Sequence, residues 1–236
     1  GEISMIRQAP MASLNPIFTI GNQLREGLRL HATGEGSLQE RAIGALESVR
    51  IPSPEARLSN HPHQMSGGMR QRVVGAISLT RAPRLLIADE PTTALDVTIQ
   101  YQFLELLKDL QKRLGMAMLF ITHDFGVVAR MCDRVAVMYA GQIVEEGPVR
   151  DIFHRPAHWY TRALLDSIPT VDRAPRRLPT IPGSPPPVSA RPQGCRFHPR
   201  CANAQAKCLE PPKTFEVGVD HTTRCWFPLQ AQRGAA

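Results

Sequence analysis

Two short apolar runs, Leu85 to Ala88 and Met116 to Thr122, flank one amphipathic stretch from Thr98 to Leu114. This order constrains the fold more than any other feature of the chain. A short apolar run bounded by polar residues suits a strand covered on both faces. The stretch between the runs sets Phe103, Leu107, Leu110 and Leu114 on one side of a helix. Strand, helix, strand means an α/β sheet with helices packed on it. Such sheets bind ligands beyond the carboxyl ends of their strands. Asp89-Glu90 closes the first run here, and His123-Asp124 follows the second.

The remainder organises around this unit. Residues 1 to 8 read as a strand end running into a loop. Asn22 to His31 and Leu38 to Arg50 read as helices, the second with Ile43, Leu46 and Val49 on one side. Two prolines in Ile51 to Pro54 break that helix. Ser66 opens another, with Met69, Val73 and Ile77 as its buried stripe. Residues from about 14 to 80 thus form a mostly helical block. Val127 to Met131 is helical, Val135 to Tyr139 and Gln142 to Val144 are strands around Ala140-Gly141, and His158 to Ser167 is a helix. The proline-rich stretch 169–192, with Pro185-Pro186-Pro187, reads as an extended linker or a strap. The expected division is an α/β domain over 1–168, that linker, and a small cysteine-bearing module over 193–236.

No run of 18 uncharged apolar residues occurs, and the first residues lack a signal-peptide pattern. The net charge is +7, with Arg173, Arg176, Arg177, Arg191, Arg196 and Arg200 late in the chain. That is a basic C-terminal segment rather than a basic groove across the fold. It fits a solvated surface near an acidic membrane face, and leaves nucleic acid as a rival partner.

Ser66-Gly67-Gly68 has its own chemistry. At a helix start the backbone N–H groups and the dipole favour an anion, and glycines let a phosphate approach. A plain helix cap reads the same residues equally well. A carboxylate pair at a strand end and a histidine after a strand are, taken singly, also ordinary structural features.

Taken in order, the pieces resemble the nucleotide-binding subunit of an ABC transporter: Met65-Ser-Gly-Gly-Met-Arg-Gln-Arg72, Asp89-Glu90-Pro91, Ala94-Leu95-Asp96 and Ile121-Thr122-His123-Asp124. The resemblance sharpens over Ser66–Arg72 and Ala88–Gln100, with Pro10-Met-Ala-Ser-Leu-Asn-Pro16 and Tyr160-Thr-Arg-Ala-Leu-Leu165. These look like the ATP-binding subunits of bacterial dipeptide and oligopeptide importers. The resemblance implies a P-loop NTPase-like ABC ATPase core with a helical signature subdomain and a small cysteine-rich extension. It makes Glu90 the catalytic base and His123 a sensor of the γ-phosphate. Asp89 and Gln8 become the Mg²⁺ partners. Ser66, Gly67, Gly68 and Asp96 become contacts to ATP. Met65 and Met69 depart from the commoner Leu and Gln, and Arg7 and Ala9 from the usual neighbours of that glutamine.

No Gly-x-x-x-x-Gly-Lys-Ser/Thr segment occurs in the 236 residues. The sequence therefore reads as an incomplete core that has lost its beginning, inactive in ATP hydrolysis by itself. The implied partners are a second ABC ATPase subunit, identical or related, two membrane-spanning permease subunits and, indirectly, an extracytoplasmic solute-binding protein. The implied location is the cytoplasmic face of the bacterial inner membrane. The implied cargo is a peptide, although relatives in this branch also carry nickel, glutathione and other small solutes. The rivals are a soluble ABC ATPase acting on nucleic acid and a non-catalytic remnant. The proline-rich strap and the cysteine tail argue against nucleic acid.

Cys195, Cys201, Cys208 and Cys225 are spaced x5, x6 and x16, without the paired Cys-x-x-Cys of common zinc folds. Four thiols in a short module point to a metal. Importer subunits with such tails are associated with a [4Fe–4S] cluster, which Cys₄ ligation suits. Zn²⁺ is the alternative. His198 and His221 are substitute ligands better suited to a surface role, and Cys132 is a packing residue.

Overall fold

The computed structural model describes residues 2–8, 13–30, 36–93, 95–169 and 179–229. The chain divides into two compact units, Gly1–Val127 and Val128–Ala236.

In the first unit β1 (Ile3–Ile6), β2 (Leu85–Asp89) and β3 (Ala117–Ile121) form a parallel sheet with β2 in the centre. Ile6 pairs with Ala88, and Asp89 with Ile121. Parallel register therefore brings the carboxyl ends of three adjacent strands to one edge, just ahead of Gln8, Glu90 and His123. Ile6, Leu86 and Ala88 are fully buried. The expectation that both apolar runs are covered on both faces fails for β3. Leu119 and Ile121 are about half exposed, as are Ile3 and Met5 of β1. Alternation along each strand puts these four on the other side of the sheet, and among the described residues nothing buries that side at its edges.

The helical block comprises α1 (Ile20–Arg29), α2 (Leu38–Ser48), α3 (Pro54–Leu58) and α4 (Gly67–Leu79). Thr19 caps α1, whose Ile20, Leu24 and Leu28 recur every four residues and are buried. The helix starts earlier than its apolar pattern indicates because the cap lies at Thr19, and His31 lies outside the described residues. A capping box between Ser37 and Glu40 starts α2. Beyond it Arg50 takes a φ of 58°, which ends the helix before that residue. Ala42 and Leu46 are its buried positions, with Val49 beyond. In α4 burial centres on Gln71, Val73, Val74, Gly75 and Ala76 rather than on the expected Met69 and Ile77. This helix packs on α2 and on β1, which covers more of its circumference than a single stripe.

Helix α5 (Val97–Leu114) begins at the Asp96 cap and ends at Gly115, whose φ is 61°. Phe103, Leu107 and Leu110 are buried as expected, together with Leu104 and Leu106, whereas Leu114 is exposed in the last turn. A short α6 (Phe125–Met131) follows β3.

In the second unit β4 (Arg134–Tyr139) and β5 (Gln142–Pro148) form an antiparallel hairpin. Its two-residue turn has Ala140 at φ 47° and Gly141 at φ 79°, the twist that tight hairpins require. Then come α7 (Val149–His154), α8 (Trp159–Asp166), β6 (Phe215–Gly218) and β7 (His221–Thr223). The sheet order is β4-β5-β7-β6, so strands from the cysteine-bearing tail complete the hairpin's sheet. The tail also lends Phe197 to a core with Val137, Tyr139, Val144 and Ile152. A segment too short to bury a core of its own shares its neighbour's. Arg200 donates to the carbonyls of Ile181, Pro182 and Gly183, which ties down the end of the proline-rich stretch. Residues 170–178 of that stretch lie outside the described residues. Among the described residues no helix is long and apolar enough to cross a membrane.

Candidate functional site

Glu90 follows β2 directly, and its backbone is left-handed, with φ at 43°. The direction of its side chain is therefore set by a strained turn and not by the pleat alternation of the strand that ends at Asp89. Non-glycine residues hold such a conformation only when their surroundings enforce it. Here Glu90 N donates to Ile121 O at 2.8 Å, and Thr93 N donates to Glu90 O at 3.2 Å.

The turn carries the carboxylate into a ring of donors. Oε2 accepts from Gln8 Nε2 at 2.7 Å and from Thr93 Oγ1 at 3.0 Å. Oε1 faces His123 Nδ1 at 3.1 Å. The side chain of Glu90 is 23% exposed and that of His123 is 80% exposed. The His123 hydrogen bond, then that of Thr93, hold the Glu90 carboxyl below its ordinary value. The arrangement keeps an ionised, oriented acceptor at the open end of the sheet. Asp89 ends β2 beside it and is half-buried.

Two residues that lie within the quoted motifs, but were given no role there, support this turn and the loop beside it. Gln71 of α4 is buried and donates from Nε2 to Pro91 O at 2.6 Å, next to Glu90. Asp124 accepts from Gly126 N at 2.7 Å and from Gln100 Nε2 at 3.2 Å, fixing the loop that carries His123 to α5. A polar residue in the middle of an apolar helix was the available signal for Gln71.

Ser66 caps α4, its Oγ accepting from Met69 N at 3.4 Å. The two glycines differ. A Cβ on Gly67 meets nothing within 4 Å, whereas one on Gly68 falls 2.6 Å from Ile99 Cγ2. Gly67 leaves the helix end open, and Gly68 lets α5 approach. Asp96 spends one carboxylate oxygen on capping α5, accepting from Ile99 N at 3.0 Å. The structure thus brings Gln8, Glu90 and His123 together, while Ser66 with Gly67 and Asp96 stand at two separate helix starts.

In the second unit Cys195, Cys201, Cys208 and Cys225 all line one cavity, with His158, His198, Phe197 and Trp226. All four are free thiols. Burial raises the Cys195 and Cys201 thiols, and pushes Cys225 up to about 12, with the other three cysteines adding to it. Among the described residues no trio of His, Cys, Asp or Glu is set as ligands of a metal ion. Cys132 lies apart from this set, half-buried. His221 is not a surface residue: it is buried, its Nε2 2.8 Å from Glu145 Oε1. His158 is buried too, which lowers its ring to about 4, offset in part by the backbone of Arg224.

Residues 1–93 match the ABC transporter family, and residues 144–208 match the oligopeptide/dipeptide transporter C-terminal region. A protein named for peptide import and ATP binding in Brucella melitensis is 52% identical over 225 residues, covering 95% of this chain and 68% of that one. The oligopeptide transport ATP-binding protein OppD of Bacillus subtilis is 51% identical, covering 96% of this chain and 64% of its own length. The dipeptide transport ATP-binding protein DppD of Escherichia coli is 47% identical, covering 97% and 70%. Among solved structures, a dimer of the ATP-binding cassette MJ0796 in a post-hydrolysis state with ADP and Pi has a TM-score of 0.55 and 28% identity, covering 63% of each chain. The chain belongs to the ABC transporter family, among the ATP-binding proteins of its peptide importers.

Proposed function

We propose that this chain is part of an ATP-binding and hydrolysing subunit that drives import of peptides or related small solutes across the bacterial inner membrane. The observation that carries the reading is the Glu90 carboxylate, held by Gln8, Thr93 and His123 where three parallel strands end. In phosphoryl transfer to water, protein groups position and polarise rather than bond to the phosphorus. Glu90 orients the attacking water and accepts its proton. Its lowered pKa keeps it ionised for that task. His123, largely exposed beside it, donates toward the γ-phosphate. Asp89 and Gln8 would hold a Mg²⁺ that neutralises the phosphates; the Gln8 amide reaches Glu90 through Nε2, which would leave its oxygen for the cation.

Ser66, Gly67 and Gly68 serve a different ATP, the one bound by a second ATPase subunit, identical or related. The open space at Gly67, where an added Cβ would meet nothing within 4 Å, supports this role, because a helix N-terminus favours an anion. Asp96 stands at the same interface. The pair acts on two membrane-spanning permease subunits from the cytoplasmic face, fed by an extracytoplasmic solute-binding protein. The 236 residues contain no phosphate-cradling loop, so by themselves they do not turn over ATP.

The cavity in the second unit is read as the seat of a [4Fe–4S] cluster, with Cys195, Cys201, Cys208 and Cys225 as ligands and Zn²⁺ as the alternative occupant. What supports it is the convergence of four thiols of the tail, Cys208 and Cys225 buried and Cys195 and Cys201 half-buried, on one cavity. Bound there, such a cluster would be held by these four thiols and would supply one-electron chemistry.

The test is Glu90→Gln in the assembled transporter. Glutamine retains the size of the side chain but cannot take a proton, so nucleotide binding persists and ATP turnover is lost. Turnover at the unmutated rate would assign the base to another group.

A further inference from the structure

Gln71 is 1% exposed in the middle of α4, beside the buried Val73, Val74 and Ala76. Its Nε2 donates to Pro91 O at 2.6 Å, while its Oε1 is buried with no hydrogen-bond partner among the described residues. An apolar side chain of the same size would avoid burying that unpaired oxygen. What the amide supplies in return is the hold on one carbonyl. A buried polar group that costs the fold stability and is bonded at a single point calls for a role beyond packing.

The carbonyl that Gln71 holds belongs to the turn that aims Glu90. That turn, with Glu90 at φ 43°, is closed by the bonds from Glu90 N to Ile121 O and from Thr93 N to Glu90 O. Pro91 lies between Glu90 and Thr93, and Thr93 Oγ1 donates to Glu90 Oε2 at 3.0 Å. Fixing the Pro91 carbonyl therefore steadies the carboxylate and one of its donors together. Helix α4 also grips the chain further on. Gly68 of α4 sits against Ile99 of α5, where an added Cβ would fall 2.6 Å from Ile99 Cγ2, and Ile99 N is bonded to the Asp96 cap. The helix that makes both contacts begins at the Ser66 cap.

We propose that Gln71 is a positioning residue for Glu90: its bond to Pro91 O makes the placement of the carboxylate depend on α4, the helix that starts at Ser66 and Gly67. The proposal rests on the reading of Glu90 as the base that orients water. Gln71 acts through the turn and not on the reacting atoms. An anion drawn to the start of α4 thereby bears on Glu90 of the same chain through one helix and one hydrogen bond. Misplacing a reacting group by about 1 Å can cost about 100-fold in rate, so a lost hold at Pro91 registers in turnover.

The experiment compares Gln71→Met, Gln71→His and Glu90→Gln in the assembled transporter. Methionine keeps the volume without the donor, and a histidine ring offers an Nε2–H where the glutamine offers its own. Bound ATP and turnover are measured on the same samples, so that turnover is expressed per nucleotide bound. Unfolded protein lowers both in proportion, whereas a misplaced Glu90 lowers turnover per bound nucleotide alone. Gln71→Met is expected to lower kcat by about 10- to 100-fold with KM for ATP unchanged, and Gln71→His to recover most of that loss. A methionine variant with the unmutated kcat overturns the proposal. So does a loss that follows bound nucleotide in proportion, or one that histidine fails to restore while binding ATP normally. Turnover that survives Glu90→Gln overturns the reading of Glu90 itself, and this proposal with it.

Discussion

His123 Nδ1 lies 3.1 Å from Glu90 Oε1, and this contact does more than any other to hold the Glu90 carboxyl low. The two residues are 33 positions apart in sequence and meet only because β2 and β3 run parallel and in register. The link has a consequence for acid stability. A carboxyl whose folded pKa is depressed adds stability above its unfolded pKa and loses it as pH falls through the folded value. In His123→Ala the carboxyl moves back toward its ordinary value. Thermal melts should therefore show the unmutated chain ahead of the variant at neutral pH, with the gap closing as the pH is taken down through the carboxylate range. A gap that stays constant to low pH would mean that the contact does not set the ionisation of Glu90.

The two signature glycines should respond differently to a methyl group. Gly68→Ala drives a Cβ to 2.6 Å from the β-branched Ile99 Cγ2, and that side chain has little freedom to yield. Overpacking of this kind costs about 1–3 kcal/mol. Gly67→Ala meets nothing within 4 Å and should be neutral, or stabilising by up to about 1 kcal/mol from helix propensity. Circular-dichroism melts of both variants give the comparison. Equal losses would show that Ile99 moves aside and that Gly68 is not needed for helix approach.

How far the sequence could be read depends on what each residue's role requires. Strand β2 and helix α5 were legible because their apolar periods are local, and so was the grouping of the candidate residues Gln8, Glu90 and His123 at strand ends. The turn at Glu90 was not. Nothing in Asp89-Glu90-Pro91 announces a φ of 43°, which depends on the hydrogen bond to Ile121 in the next strand. Gln71 was missed for the same reason, since its partner Pro91 is 20 residues away and an apolar-stripe argument passes over polar positions. The tail shows the opposite case. Its cysteine spacing drew attention to residues that line one cavity, but composition could not reveal that His221 and Phe197 would be built into the sheet and core of β4 and β5.

Glu145 is the buried centre of the second unit. Its carboxylate accepts from Ala157 N, His158 N and His221 Nε2, and its side chain has no exposure. Glu145→Ala strands three buried donors at once. Breaking one partner of such a network costs about 3–5 kcal/mol. Both tryptophans of the chain, Trp159 and Trp226, lie in this unit, so their fluorescence during urea unfolding reports on it directly. Glu145→Gln, which keeps one acceptor oxygen, should lose less than alanine does. A midpoint unchanged in the alanine variant would show that water replaces the carboxylate.

The four cavity cysteines should behave as one set and Cys132 as an outsider. Cys195, Cys201, Cys208 and Cys225 line the same cavity, and each of the other three contributes to raising the Cys225 thiol. Cys132 lies outside the cavity lining, and its thiol is raised by burial first and Asp133 second. Prepared without oxygen, the chain should be brown, with iron and acid-labile sulfide each at about four per chain, as a Cys₄ cubane requires. Serine at any one of the four should lower that content, because each is one of the proposed ligands. Cys132→Ser should leave it unchanged. Losing the group should also loosen the tail, since metal binding and folding are linked in small modules. The tryptophan-reported urea midpoint should then fall in the four variants and not in Cys132→Ser. A colourless protein with one zinc per chain would assign the cavity to Zn²⁺, and one with no metal and four intact thiols would leave these cysteines as packing residues.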